Sequence, residues 1–186
     1  MLKKDLRLFY SKRRENLTSQ NISDSSLLIA NLLLQLPIWN YSYYHLYLSI
    51  TEKKEVDTSF ILSILQGKDK NILLPKMEDD LNLVNYLLTD STTIKKNSWN
   101  IPEPIDGIEV PPEKIDVVFL PLMAFDNVGH RVGYGKGFYD VLLNKCRPDV
   151  VKVGLSLFAA EEKIKDIDAH DIPLNYCVTP DRIYSF

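Results

Sequence analysis

Histidine and cysteine are both scarce, with three of the first (His45, His130, His170) and two of the second (Cys146, Cys177). Three scattered histidines cannot build a His-rich metal cluster. Two distant cysteines without a C-x-x-C spacing offer neither a disulfide framework nor a zinc ribbon, so both thiols read as small buried groups. No stretch reaches the roughly 18 consecutive apolar residues of a membrane span, and the basic N-terminus runs into a charged helix pattern instead of a signal-peptide core. A soluble, cytoplasmic protein without a membrane partner is expected. A large net charge is missing too. The formal total is -3, but residues 1–14 carry +5 and the remainder -8. A nucleic-acid binder usually carries a broad basic footprint, whereas a small basic element on an acidic body suits one compact anion. With 45% apolar residues in 186, the chain can bury a single core. One domain over 1–186, acting as a monomer on small molecules, is expected.

Glycine is also rare, yet four of the seven glycines (Gly129, Gly133, Gly135, Gly137) fall inside the nine residues GHRVGYGKG. The surrounding pattern shows where that cluster sits. Residues 3–16 read as an amphipathic helix, with Leu2, Leu6, Phe9 and Tyr10 as its apolar stripe and Lys3, Arg7 and Arg14 on another side. ISDSSLLIANLLLQL reads as a buried helix capped by Asp24 or Ser23 and stopped near Pro37. Strands are expected at 43–49, 71–75, 83–89, 116–122 and 150–157, and around Tyr176 and Ile183. Helices are expected at FILSILQ and from about Lys136 to Cys146, and residues 91–113 read as a long connection. Alternating strands and helices indicate an α/β layered fold, with DVVFLPL as its buried central parallel strand.

The glycine cluster therefore links that central strand to a helix, the place where open α/β sheets bind ligands. Backbone N–H groups and a helix N-terminus there suit a phosphate. Neither the Walker A spacing nor G-x-G-x-x-G fits, because His130, Gly137 and Phe138 occupy positions those motifs require otherwise. Arg131 and Lys136 supply donors for phosphate oxygens, and Asp140, one helical turn past Gly137, suits Mg²⁺. The bland alternative is a loop whose glycines only permit positive φ.

On these residues the chain resembles the 5-formyltetrahydrofolate cyclo-ligase (methenyltetrahydrofolate synthetase) family. PLMAFDNVGHRVGYGKGFYD (121–140) is similar to that family's P-x-x-A-F-D-x-x-G-x-R-L-G-x-G-x-G-Y-Y-D segment, with Val132 and Phe138 as replacements. KKDLR (3–7), YLSITEKKEVDT (47–58), SWNIPEP (98–104) and AHDIPLNYCVT (169–179) resemble further family blocks in the same order. Departures stand near the end of the chain, at Glu161, Ile167 and Asp168.

The resemblance implies a three-layer α/β/α fold with a mostly parallel central sheet, of the NagB/RpiA/CoA-transferase-like kind. It also implies ATP- and Mg²⁺-dependent closure of 5-formyltetrahydrofolate to 5,10-methenyltetrahydrofolate, with release of ADP and phosphate. A non-catalytic nucleotide- or folate-binding module on the same fold is the alternative. By family analogy Lys3, Lys4, Asp5, Leu6 and Arg7 contact ATP, as does the loop of Arg131, Val132, Gly133, Tyr134, Gly135, Lys136, Gly137, Phe138 and Tyr139. Arg131 and Lys136 take the catalytic roles, neutralising the transferring phosphoryl group. The residues from Tyr134 to Phe138 also border the folate, together with Leu48 and Glu55. Asp140 and Asp171 match the Mg²⁺ positions. His130 and His170 receive no role, and Tyr86, Trp99 and the aromatics at 41–47 are expected mostly in the core.

Overall fold

A computed structural model describes residues 1–78 and 81–186. In chain order it contains α1 (Lys3–Glu15), α2 (Ser19–Leu33), β1 (Tyr43–His45), α3 (Ser59–Gly67), β2 (Asn71–Met77), β3 (Leu83–Leu87), β4 (Ile94–Lys96) and β5 (Pro102–Pro104). There follow β6 (Val117–Pro121), β7 (Ala124–Phe125), β8 (Arg131–Val132), α4 (Phe138–Lys145), β9 (Val151–Leu155), β10 (Tyr176–Val178) and β11 (Ile183–Ser185).

Seven strands form one sheet in the order β11-β10-β9-β6-β1-β2-β3. The five inner strands are mutually parallel, while β11 and β3 close the edges antiparallel. The DVVFLPL strand is β6, in the middle, where burial on both faces accounts for its unbroken apolar run. Successive side chains along it point to opposite faces. Val117 and Phe119 pack with Ile29, Leu33, Ile61 and Leu65 of α2 and α3. Val118 and Leu120 pack with Leu142 and Leu143 of α4. The result is the expected α/β/α layering, with both free cysteines buried. No helix among the described residues is long and apolar enough to cross a membrane.

Strand order reverses at β1. From β1 the chain moves to β2 on one side, and later enters β6 on the other side of β1. Loops leaving the carboxyl ends of β1 and β6 therefore diverge and open a crevice. The loop after β1 carries Leu48 and Glu55, and the loop after β6 carries the glycine cluster.

Three expectations need correction. First, α2 begins at Ser19, because Thr18 and Asn21 form a reciprocal capping box, with Asn21 N–H donating to Thr18 Oγ1 and Thr18 N–H donating to Asn21 Oδ1. Asp24 and Ser23 lie inside the helix. Second, residues 91–113 include the small hairpin β4–β5, and β7–β8 interrupt the expected glycine loop. Strands of two or three residues are too short for a period-2 pattern to show. Third, α1 turns a different face inward. Leu6, Tyr10 and Arg14 are buried, while Leu2 and Phe9 are exposed. Lys3 and Arg7 flank this inner stripe and reach the crevice, so the basic side faces the site.

Candidate active site

The crevice is a cleft of about 610 Å³. Its floor comes from the loop after β1, one wall from the glycine loop and the first turn of α4, and the rim from α1, the β4–β5 hairpin and Asp171. Lys3, Arg7, Leu48, Glu55, Arg131, Asp140 and Asp171 line it, with Gly133 to Tyr139 between them. Lys4 and Asp5 are exposed and do not line the cleft. Leu6 and Val132 are fully buried in the cluster under α1. These four thus hold the scaffold or face solvent instead of lining the cleft, because helix and strand geometry turn neighbouring side chains apart.

Two local features shape the glycine loop. Gly135 has φ 95°, and a Cβ there would stand 3.2 Å from Arg7 Cζ. The loop backbone therefore lies directly on the Arg7 guanidinium, whose Nε donates to the Gly133 carbonyl at 2.8 Å. Gly137, φ 81°, is the left-handed residue that starts α4, so the positive end of that helix opens at the cleft. Upstream, the buried Asp126 carboxylate accepts from the N–H groups of Val128, His130 and Ile164. The Asp of the A-F-D segment is thus a turn-builder, and its 3.3 Å contact with His130 ties that ring to the turn.

Two of the cleft cations, Arg131 and Lys3, are paired with its two aspartates. Arg131, nearly buried, donates from Nη2 to Asp140 Oδ1 at 2.7 Å and from Nη1 to the Ile172 carbonyl. Lys3 is paired with Asp171. Burial pushes the Asp171 carboxyl up, but Lys3, the Asp168 N–H and Arg131 outweigh it and leave it below the usual carboxylate range. Lys136 is exposed at the mouth, its ammonium 5.8 Å from the Trp99 ring centroid. Trp99, expected in the core, is instead 55% exposed and lines the cleft.

Glu55 is buried at the floor. Its Oε2 accepts from Ile50 N–H and its Oε1 from Tyr134 Oη, each at 2.6 Å. Desolvation raises its pKa, opposed by those two donors and by Arg14 and Lys53. Tyr47, Ile50, Lys53 and Met77 also line the cleft. They come from separate segments, so no local spacing marks them.

Asp140 and Asp171 are the carboxylates that could hold magnesium. They are two carboxylates on one cleft, and the described residues hold no cluster of three or more His, Cys, Asp or Glu. Mg²⁺ is usually held by one or two carboxylates, completing its shell with phosphate oxygens and water.

Fold and site together define an α/β protein that brings a glycine-rich loop and a helix N-terminus against a carboxylate-floored cleft at a sheet switch point. A sequence profile of the 5-formyltetrahydrofolate cyclo-ligase family matches residues 1–180, and the chain belongs to that family. It is 29% identical over 187 residues to the mouse 5-formyltetrahydrofolate cyclo-ligase, covering 93% of this chain and 91% of that protein. The structure of the Aquifex aeolicus 5,10-methenyltetrahydrofolate synthetase superposes with a TM-score of 0.85 at 32% identity, covering 100% of this chain and 93% of that one. A 5,10-methenyltetrahydrofolate synthetase from Mycoplasma pneumoniae shares the fold, at 22% identity and a TM-score of 0.76 over 97% of this chain and 99% of that one.

Proposed function

We propose that this chain converts 5-formyltetrahydrofolate to 5,10-methenyltetrahydrofolate, using ATP as phosphoryl donor and Mg²⁺ as its counter-ion. The observation that carries this reading is the single cleft in which one glycine loop faces the α1 cations Lys3 and Arg7 on one side and the Glu55 floor on the other. An element that borders both sides brings donor and acceptor together.

A formamide carbonyl is a weak electrophile. Phosphorylating its oxygen makes phosphate the leaving group, and N10 then closes the ring as phosphate departs. Such transfer needs positioning and charge stabilisation more than covalent chemistry. Arg131, Lys136, Lys3 and Arg7 supply positive charge where the γ-phosphate would lie, and the α4 N-terminus adds its dipole. Glu55 accepts hydrogen bonds from the pterin ring N–H groups, while Leu48 packs on its apolar face. Mg²⁺ held by Asp140 and Asp171 would neutralise phosphate oxygens. Arg131 and Lys3, now paired with those two carboxylates, would be freed to face the triphosphate.

The test is to mix purified protein with 5-formyltetrahydrofolate and MgATP and follow the near-ultraviolet absorbance of the methenyl product. Product should form only when nucleotide and magnesium are both present. Tight ATP binding without absorbance change would instead indicate a binding module.

A further inference from the structure

Arg14 is not on the cleft wall, yet it is buried at a position of α1 that continues the Leu6 and Tyr10 stripe. A leucine there would fill the same face without the desolvation cost of a buried guanidinium, so the arginine calls for an explanation. Its directed bonds supply one. Nη1 donates to Tyr134 Oη at 2.9 Å and to the Lys53 carbonyl at 3.1 Å, and Nη2 donates to the Leu122 carbonyl at 2.7 Å. One side chain thus ties α1 to the turn after β1, to the end of β6 and to the glycine loop. Tyr134 passes the connection on, because the hydroxyl that accepts from Arg14 donates to Glu55. A phenol polarised by a guanidinium donates more strongly to the carboxylate beyond it. Two buried charges are so joined through a neutral hydroxyl.

On the basis of the cyclo-ligase reading above, we propose that Arg14 is a positioning residue. Through the Tyr134 hydroxyl it orients the Glu55 carboxylate toward substrate and docks the glycine loop on the end of the sheet. Glu55 is faced by the Ile50 N–H, Tyr134, Arg14 and Lys53, which favour its ionised form, with the tyrosines Tyr47 and Tyr139 also near it. Removing Arg14 or the hydroxyl leaves burial less opposed, which moves the acidic limb of activity to higher pH.

The experiment measures kcat and KM for 5-formyltetrahydrofolate across pH in the wild type, Arg14→Gln, Arg14→Lys, Tyr134→Phe and the Arg14→Gln/Tyr134→Phe double variant. Amide exchange of residues 131–137 is followed in the same proteins without ligand. Arg14→Gln and Tyr134→Phe should each raise KM roughly 10- to 100-fold, the range that loss of a hydrogen bond to a charged group carries, with a smaller effect on kcat. Both should shift the acidic limb upward and speed exchange in the loop. The double variant should be no worse than either single one, and Arg14→Lys should recover part of the loss. Unchanged KM and pH profile alongside lowered thermal stability, or single losses that multiply in the double variant, overturn the proposal. If Arg14→Gln does not fold, Arg14→Lys and Tyr134→Phe decide the matter by the same readouts. A wild type that forms no methenyl product sinks the cyclo-ligase reading, and loop exchange then rules on positioning alone. Unaltered protection in the variants rejects it, and faster exchange upholds the docking.

Discussion

Lys136 stands at the mouth of the cleft with its ammonium near Trp99 and its side chain in solvent, so little of the fold depends on it. Charge stabilisation in phosphoryl transfer does depend on such a group. Lys136→Ala should therefore lower kcat/KM roughly 100- to 1,000-fold, while the unfolding free energy moves by no more than about 0.5 kcal/mol. Steady-state rates and a urea melt on one preparation separate these effects, and a collapsed melt with normal turnover of the folded fraction would remove the lysine from the mechanism. Arg131, Gly133, Gly135, Gly137, Leu48, Glu55 and the two aspartates were legible because the family segments quote them, and the structure gathers them on one cleft. Arg14 was not legible. Helical periodicity assigned the inner face of α1 to its apolar residues, and an arginine whose two terminal nitrogens bond two carbonyls and a phenol, while its buried Nε finds no partner among the described residues, leaves no trace in hydropathy. Trp99 was hidden for the converse reason. Its apolarity suggested core, whereas its place at the turn of a three-residue-strand hairpin puts it on the rim.

Among the elements, the β7–β8 hairpin is the smallest and carries Arg131. Sequence pattern missed it because two-residue strands have no period, yet its turn is built by one side chain with strong local bonding. Asp126 is fully buried and satisfies three backbone N–H groups, one of them on the segment leading to Asp171. Asp126→Ala would leave those donors without a partner, each worth about 1–3 kcal/mol when buried. Because two of the three are only partly buried, the expected loss in a urea melt is about 3 kcal/mol. A loss under about 1 kcal/mol would show that the turn holds without its carboxylate. The larger elements were easier to read. The all-apolar β6 and the amphipathic α3 follow from burial on two faces and on one. The start of α2 lies upstream of Asp24 and Ser23 because the Thr18–Asn21 capping box has an asparagine where such boxes usually have Glu or Gln.

At the scale of the molecule, the sheet that creates the cleft also buries His45, on the α4 face of β1 between Asn85 and Tyr139. Its Nδ1 lies 2.8 Å from Asn85 Oδ1, and its ring meets Tyr139 edge-on. Desolvation lowers its pKa to about 4 despite the Asn85 contact. The unfolded chain binds a proton on this histidine near pH 6.5, and the folded protein resists doing so until about pH 4. The unfolded state therefore holds more protons throughout that window, and stability rises with pH across it. The contribution is complete above pH 6.5 and disappears as the pH falls to 4, a loss of about 3 kcal/mol. Other groups act differently. Asp116 and Asp171 are held below the carboxylate range, Asp116 by Arg147 and two backbone N–H groups against burial, so their contributions fade only at more acid pH. Glu55 is raised by burial and has the opposite sign, since its contribution is lost as pH rises through its folded pKa. The comparison of wild type with His45→Gln cancels those terms, because Gln keeps a polar group beside Asn85 but cannot titrate. Urea melts at pH 7 and pH 4.5 should show a wild-type decrease that exceeds the variant's by about 2 kcal/mol or more. Equal slopes for the two proteins would mean that the strand interior accepts an imidazolium, against the packing of β1 between β2 and β6.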